Sequence, residues 1–490
     1  APVQVETQTQ TLSSVITTKQ VLELPTLTRN PYDLVATAGN ITPVDPRDSG
    51  AVRGVGFNIN GQRSASTNVL LDGADNNDTF TATVGQSVPL DSVQELSVVS
   101  SAFTAEYGRA GGGVVNVATK SGTNVFHGTA YEFNRVSALS SNSFDNNAQG
   151  VPKGTFTRNQ FGFSAGGPVK KDKLFLFNNT EWYRIRSSST ETALVPTPQL
   201  LAAAAPATQQ FFSTLGQLKV QPNGRIYTKN DIPGLCSATG PCANLSGTLP
   251  VWATVNYPLP ADAGGGDPQN QYQSVTRIDY NLSNKTTIYG RYAVQSLDRF
   301  PGTISSSPYV GYDTGENIFN NNGLVSVTHT FSPNLVSQSK AVYSRLNDLQ
   351  SLGSAPAAPG LYLSSANVAS QILGINVALA GYLPFSPGNA IPFGGPQNLG
   401  QLYEDLSWSK GTHTFRFGGQ YIYIRDNRAF GAYQEAVEVL GTSLKQGMDN
   451  FLLGQLTNFA AAVNPQGKFP GQTITLPVGP PDFTRSNRYN

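Results

Sequence analysis

Glu106 to Asn124 reads EYGRAGGGVVNVATKSGTN, a run of glycines, then alternating small and apolar residues, then Lys-Ser. Glycine-rich stretches that end this way invite a phosphate-loop reading. A P-loop requires G-x-x-x-x-G-K-[ST], but Thr119 stands where the last glycine must be. A dinucleotide loop requires G-x-G-x-x-G. Gly111 and Gly113 fit it, but Asn116 occupies the third glycine position. The valines alternate after the glycines, which predicts a strand. No helix N-terminus would then be available to hold a phosphate. The remaining use of glycine is close approach of backbones and sharp bends. A strand leaving a compact unit to run along a surrounding wall needs both.

The rest of the chain supports a wall. Charged residues are only 13% of the 490 and hydrophobic residues only 39%, with net charge +1. That balance gives no bulk electrostatic case for nucleic acid. Gly, Ser, Thr, Asn and Gln fill the difference, alongside 20 Tyr and 25 Phe. No apolar run approaches the roughly 18 residues of a membrane helix. Barrel strands alternate and never give such runs. The chain starts at Ala1-Pro2 without Met or a basic-then-apolar leader, as after signal-peptide removal or from a start inside a protein.

Residues 1–122 read as one unit. In it, NVLLDGADNND is a strand entering a turn, NPYDLVATAGN a short helix, and SVQELSVVSS a strand. From Val125 onward the segments lengthen and alternate. QYQSVTRIDYNLSNKTTIYGRYAVQ is the clearest hairpin, with Tyr272, Ile278 and Tyr280 opposite in face to Gln273, Arg277 and Asp279. Other hairpins turn around Lys170–Lys173, Ser332-Pro333-Asn334 and Lys410-Gly411-Thr412. The connections between hairpins are long and rich in Gly, Pro, Ser and Asn, at about 189–270, 297–320, 348–400 and 428–485. They read as structureless. Short turns at one end and long loops at the other are the pattern of an outer-membrane barrel. About nine strands are visible, with a tenth starting at RSNRYN. Such an arc leaves bare edges, so the expectation is a longer protein cut inside its barrel.

Here a resemblance becomes specific. LLDGADNND, followed by VQELSVVSSAFTAEYGRAGGGVVNVATKSGTNVFHGTAYEF, resembles the plug-to-barrel passage of TonB-dependent outer-membrane transporters, nearest the Oar-like subfamily. ETQTQTLSSVITTKQVLELPTLTRNPYDLVATAGNITP, FTRNQFGFSAGGPVKKDKLFLFNNTEWYR and HTFRFGGQY are similar to that subfamily as well. The resemblance implies a mainly β protein. A mixed α/β plug (1–122) would precede an incomplete antiparallel transmembrane β-barrel (123–490) of the class with about 22 strands. It implies a plug signature at Asp72, Gly73, Glu106, Tyr107, Gly108, Arg109, Gly111, Gly112, Gly113, Asn116, Lys120 and Gly122. Gly111–Gly113 would let the last plug strands pack against the wall. Glu106 and Arg109 would be buried, paired charges, because unpaired burial is costly.

The implied function is uptake of a scarce or bulky solute across the outer membrane of a Gram-negative-type bacterium. The implied partners are a TonB-type periplasmic energy transducer, outer-membrane lipid, and an extracellular chelate, peptide or oligosaccharide. No TonB box is identifiable, and VQVET near the start only imitates one. The alternatives are a passive outer-membrane porin or adhesin, or a secreted soluble β-rich glycan-binding protein.

Little else suggests chemistry. Cys236 and Cys242 have five residues between them, with a Gly-Pro turn, and read as a loop disulfide or a pair of free thiols. Asp72, Asp75, Asn76, Asn77 and Asp78 cluster like calcium donors but fail the EF-hand spacing. The default is a turn that satisfies its own backbone. His127, His329 and His413 are too dispersed to form a metal set. No catalytic motif, cofactor or metal site is identified, so the protein does not read as an enzyme. Trp182, Tyr183, Trp408, Tyr421 and Tyr423 read as an aromatic girdle at the membrane boundary.

Overall fold

The computed structural model describes residues 11–26, 28–44, 56–108, 110–142, 144–150, 152–350, 360–364, 371–377, 393–430, 437–460 and 485–489. VQVET and Arg109 lie outside them, as do parts of the predicted loops 348–400 and 428–485.

The N-terminal unit is a small mixed sheet with short helical turns. Its main strands are β1 (Leu12–Thr17), β2 (Thr67–Leu71), β3 (Val93–Ser101) and β4 (Gly113–Thr119). Their order is β1-β3-β4-β2, with Ala74–Asp75 folding back on β2. β3 runs antiparallel to β1 and β4, and β2 runs parallel to β4. Helix α1 (Thr18–Glu23) is opened by a capping box between Thr17 and Gln20. The NPYDLVAT stretch forms a 3-10 turn at Pro31–Thr37, because Asn30 caps it and Pro31 presets its first φ. Every residue of β2 is buried. Its core joins Val69, Leu71, Leu96, Val115 and Val117 to Val275 and Ala293 of the wall. The unit and the wall therefore share one apolar contact zone.

The wall is an antiparallel sheet of ten sequential strands. They are β5 (His127–Val136), β6 (Thr155–Lys170), β7 (Leu174–Pro196), β8 (Gln269–Ser283), β9 (Thr286–Arg299), β10 (Glu316–Ser332), β11 (Leu335–Gln350), β12 (Phe393–Lys410), β13 (His413–Asp426) and β14 (Arg485–Tyr489). β5 and β14 are the ends of the ordered sheet and do not pair with each other among the described residues. Turns at 171–173, 284–285, 333–334 and 411–412 close the hairpins at one end of the wall, the turn end. Asp172 and Gly411 supply the positive φ that two of these turns need (59° and 62°).

Alternation sorts the faces. On β8, Gln271, Gln273 and Val275 are buried inward, whereas Ile278 and Leu282 point outward and stay exposed. Val325, Leu402 and Phe417 continue the exposed apolar belt, the surface that a hydrocarbon layer would cover. Trp182, Trp408, Tyr421 and Tyr423 share this outward face, since they pair with outward Phe161, Phe415, Leu402 and Gly400. Tyr183 does not. It faces inward and is only 7% exposed, because it follows Trp182 by one residue on an alternating strand.

The opposite, loop end differs most from the sequence reading. Residues 189–268 are not structureless. β7 outruns the wall, leaves β8 at Ile185, and pairs over Ser188–Pro196 with the strand Pro250–Pro260. Helices α2 (Pro206–Leu215) and α3 (Leu444–Leu453) pack beside it. Trp252, Tyr257, Tyr309, Met448 and Phe451 form the centre of a second apolar core, all at 0–1% exposure. Leu361, Ile372 and Leu440 from later connections join it. Four connections thus condense into one cap, because each carries too little apolar surface to bury alone. Thr208 Oγ1 donates to Phe451 O (2.7 Å) and Lys219 pairs with Asp313 (2.6 Å), crossing between connections. Cys236 and Cys242 form a disulfide with Cα atoms 5.2 Å apart. It abuts α3, where Cys242 N–H donates to Asp449 Oδ1 (2.9 Å).

Candidate functional site

The candidate site is the seam between the N-terminal unit and the inner face of the wall. It starts where β2 ends. Asp72 and Gly73 both take left-handed φ (53° and 75°), a conformation open to glycine and tolerated by Asp. This turn aims the Asp72 carboxylate at the wall. Its Oδ1 accepts from Thr119 N–H (2.8 Å), and its Oδ2 accepts from Arg291 Nε on β9 (2.9 Å). The Arg291 side chain is fully buried and that of Asp72 only 5% exposed. Arg291 also donates to Asn322 Oδ1 (2.6 Å), and Gly73 N–H donates to Asn116 Oδ1 (2.9 Å). Nearby, Arg277 Nη1 donates to Thr119 O (3.1 Å) while it pairs with Asp279. A buried cation in this position requires its partner, since an orphaned charge costs several kcal/mol.

From Ala74 the chain lies along the wall as a ribbon. Asp75 N–H donates to Gln401 Oε1 (2.9 Å), and Gln401 Nε2 returns a bond to Asp75 O (3.0 Å). Thr79 N–H donates to Gln397 Oε1 (3.0 Å), and Gln397 Nε2 donates to Asn77 O (3.1 Å). Arg428 pairs with Asp78 (2.7 Å). Further on, Ser87 N–H donates to Gln295 Oε1 (3.1 Å) and Asn320 Nδ2 donates to Gly85 O (3.2 Å).

The oxygens that resemble calcium donors are therefore engaged. Asp78 Oδ1 also caps Phe80 and Thr81 N–H, and Asn76 Oδ1 accepts from Gln86 N–H. No group of His, Cys, Asp and Glu with metal-binding geometry occurs among the described residues.

A second anchor lies across the unit. Arg29 takes a left-handed φ (57°) and pairs with Asp91. Its Nε is 3.7 Å from Glu181 of β7, and its guanidinium stacks 4.1 Å from the Phe133 ring centroid. Arg158 of β6 donates to Thr28 O (2.8 Å).

The glycine signature is distributed differently from expectation. Gly111 and Gly112 N–H groups both donate to Ser66 O (2.9 Å each), and a Cβ on Gly113 would lie 2.9 Å from Val99 O. These glycines pack the unit against itself, not against the wall. The close approach to the wall belongs to Gly122, where a Cβ would fall 2.4 Å from Leu176 O and 3.0 Å from Gly167 O. Glu106 is exposed, contrary to the expected buried charge, because it sits in a surface turn where water keeps its carboxylate hydrated. Tyr107 packs on Leu70, Val99 and Val114, and burial raises its phenol pKa. Gly108 O accepts from Asn68 Nδ2 (3.1 Å). Lys120 N–H donates to Ser92 O, and burial lowers its ammonium pKa against the opposing pull of Asp91.

Sequence reasoning missed Arg29, Arg291, Gln397, Gln401 and Arg428. Their only local signal is a long polar side chain at an inward position of a strand or beside one. Their partners lie 62 to 350 residues away.

Comparison with known proteins agrees with this architecture. Residues 5–115 match the TonB-dependent receptor plug domain, and residues 118–473 match an outer membrane beta barrel domain. The chain is 30% identical over 135 residues to the TonB-dependent transporter Oar of Myxococcus xanthus, a match covering 25% of this chain and 12% of Oar. The crystal structure of the outer membrane transporter YddB from Escherichia coli superposes with a TM-score of 0.56 at 13% identity. That match covers 91% of this chain and 51% of YddB. The chain thus spans about half the length of YddB and a smaller share of Oar. With a plug model and a barrel model together matching most of its residues, the chain belongs to the TonB-dependent receptors of the outer membrane.

Proposed function

We propose that this chain supplies the plug and part of the barrel of a receptor that takes up a scarce or bulky solute, energised by a TonB-type transducer. The carrying observation is the Asp72–Arg291 pair. A folded N-terminal unit held to the inner wall by a fully buried ion pair is a closure that must be opened before anything passes. In this reading the plug is 1–122, the wall 123–490, and the loop end faces outward with the cap above the lumen. Asp72, Gly73, Asn116 and Gly122 seat the plug. Uptake needs differential binding and plug movement, with no covalent step and no catalytic residue.

The solute is a chelate, peptide or oligosaccharide that meets polar groups. The large aromatic rings of the cap, Trp252, Tyr257 and Tyr309, are spent on its own core. The inner wall offers amides and charges, among them Gln273, Gln397, Gln401 and Arg291.

Deleting residues 1–122 from the receptor and recording conductance in planar bilayers tests the closure. Small-ion conductance should rise several-fold. Unchanged conductance would remove the plug reading.

A further inference from the structure

The glutamines facing Asp75–Thr79 do more than fill space. Gln401 and Gln397 are 2% and 0% exposed. Each offers its carboxamide oxygen to one ribbon N–H and its NH2 to one ribbon C=O. The two stand four residues apart on β12, and the N–H groups they bind, of Asp75 and Thr79, stand four residues apart on the ribbon. The ribbon numbers rise as the wall numbers fall. Gln401 exchanges both bonds with Asp75, as a hydrogen-bonded residue of an antiparallel strand pair would, and Gln397 takes its two bonds from residues two apart, Asn77 and Thr79. Tyr403 sets the polarity: its hydroxyl donates to Gln401 Oε1 (2.6 Å) and accepts from Asp75 N–H (3.1 Å). That hydroxyl leaves the Gln401 oxygen facing the ribbon N–H.

We infer that Gln397 and Gln401 are positioning residues that clamp the Asp75–Thr79 ribbon and so hold the plug shut along β12. The inference rests on the plug reading above. Two charged anchors accompany the clamp, Asp72–Arg291 ahead of it and Asp78–Arg428 within it. The glutamine amides are neutral, and on release they exchange ribbon partners for water or a polar solute, while the Asp78–Arg428 pair within the ribbon has to part with them. The seam can therefore part reversibly where it is amide-lined. The exposed inner wall would then present hydrogen-bonding side chains to a passing polar solute.

The test uses the intact receptor with Gln397→Met and Gln401→Met, singly and together. Met keeps the length of the side chain and removes its hydrogen bonds. Leu402→Met on the outward face is the control for strand perturbation. Amide hydrogen exchange should accelerate about tenfold or more at Asp75 and Thr79 in the double variant. Exchange at Val98 and Val115 in the plug sheet should not change. Conductance of the double variant should lie between the native and plug-deleted proteins. Uniform acceleration across the plug would mean general loosening and overturn the clamp, as would no acceleration at Asp75 and Thr79. A native level of conductance in the double variant, with the plug-deleted receptor conducting, would overturn the clamp and leave the plug reading intact. Failure of the plug deletion itself to raise conductance would overturn both.

Discussion

Arg291 on the wall and Asp72 at the end of the plug's buried strand β2 meet at 2.9 Å, and solvent reaches neither to any useful extent. The pair joins residues 219 apart in sequence. Asp72→Asn keeps an acceptor for Thr119 N–H but leaves Arg291 buried without a counter-charge. Plug docking should weaken by about 3–5 kcal/mol. Urea titration of the purified receptor, followed by a fluorophore on the plug, would read this as early plug release. A midpoint equal to the native one would refute the assignment.

Gly122 and Gly111 make a matched contrast. A Cβ on Gly122 would strike backbone atoms at 2.4 Å, which cannot swing aside, whereas the nearest atom to a Cβ on Gly111 is 3.8 Å away. Gly122→Ala should cost about 1–3 kcal/mol through backbone displacement, and Gly111→Ala close to nothing. Protease sensitivity of the plug in outer-membrane preparations should rise for the first variant only.

The cap should behave as one folded body. Phe451→Ala removes a fully buried ring in contact with Trp252 and Phe212 (centroids 6.3 and 5.7 Å), at a cost of about 3–5 kcal/mol. Limited proteolysis should then open sites in 197–268, far from the substitution in sequence. The heat-modifiable migration of the barrel should persist. Cuts confined to the neighbourhood of residue 451 would argue against a shared core.

Depth along the outer face is testable with a single cation. Val325 lies mid-strand on β10 and is 52% exposed outward, whereas Phe331 is near the turn end of the same strand. Val325→Arg should destabilise the protein in bilayers by about 2–4 kcal/mol and Phe331→Arg by about 0–1 kcal/mol. Equal effects at both positions would contradict a hydrocarbon belt centred near Val325.

In the cap, burial raises the pKa of Glu438. A carboxyl whose folded pKa exceeds its unfolded value favours folding when protonated. That contribution is complete below the ordinary carboxylate range and is lost as pH rises through the raised value. Glu438→Gln should therefore be more stable than the native protein at neutral pH. The advantage should shrink on acidification into and below the ordinary carboxylate range. A pH-independent difference in Tm would show that this group does not titrate on folding.

Local physics carries the barrel. Alternation with period two, short turns at Lys170–Lys173 or Lys410–Thr412, and an exposed apolar belt follow from residue order alone, because strand pleat and turn chemistry are short-range. The plug-to-wall passage was legible for the same reason, as valines after glycines predict a strand. Long-range packing decided the rest. The connections at 189–268 look structureless one at a time, and only together do they bury Trp252, Tyr309 and Phe451. Gly111–Gly113 and Gly122 are alike in sequence, yet their neighbours come from different parts of the chain, so only the tertiary structure shows which glycine meets the wall. Arg291, Gln397 and Gln401 carry no local mark, because a polar side chain at an inward strand position acquires its role from whatever is brought opposite. The residue sequence determines which side chains face inward; the fold alone determines that Asp72, Asp75 and Thr79 are what they face.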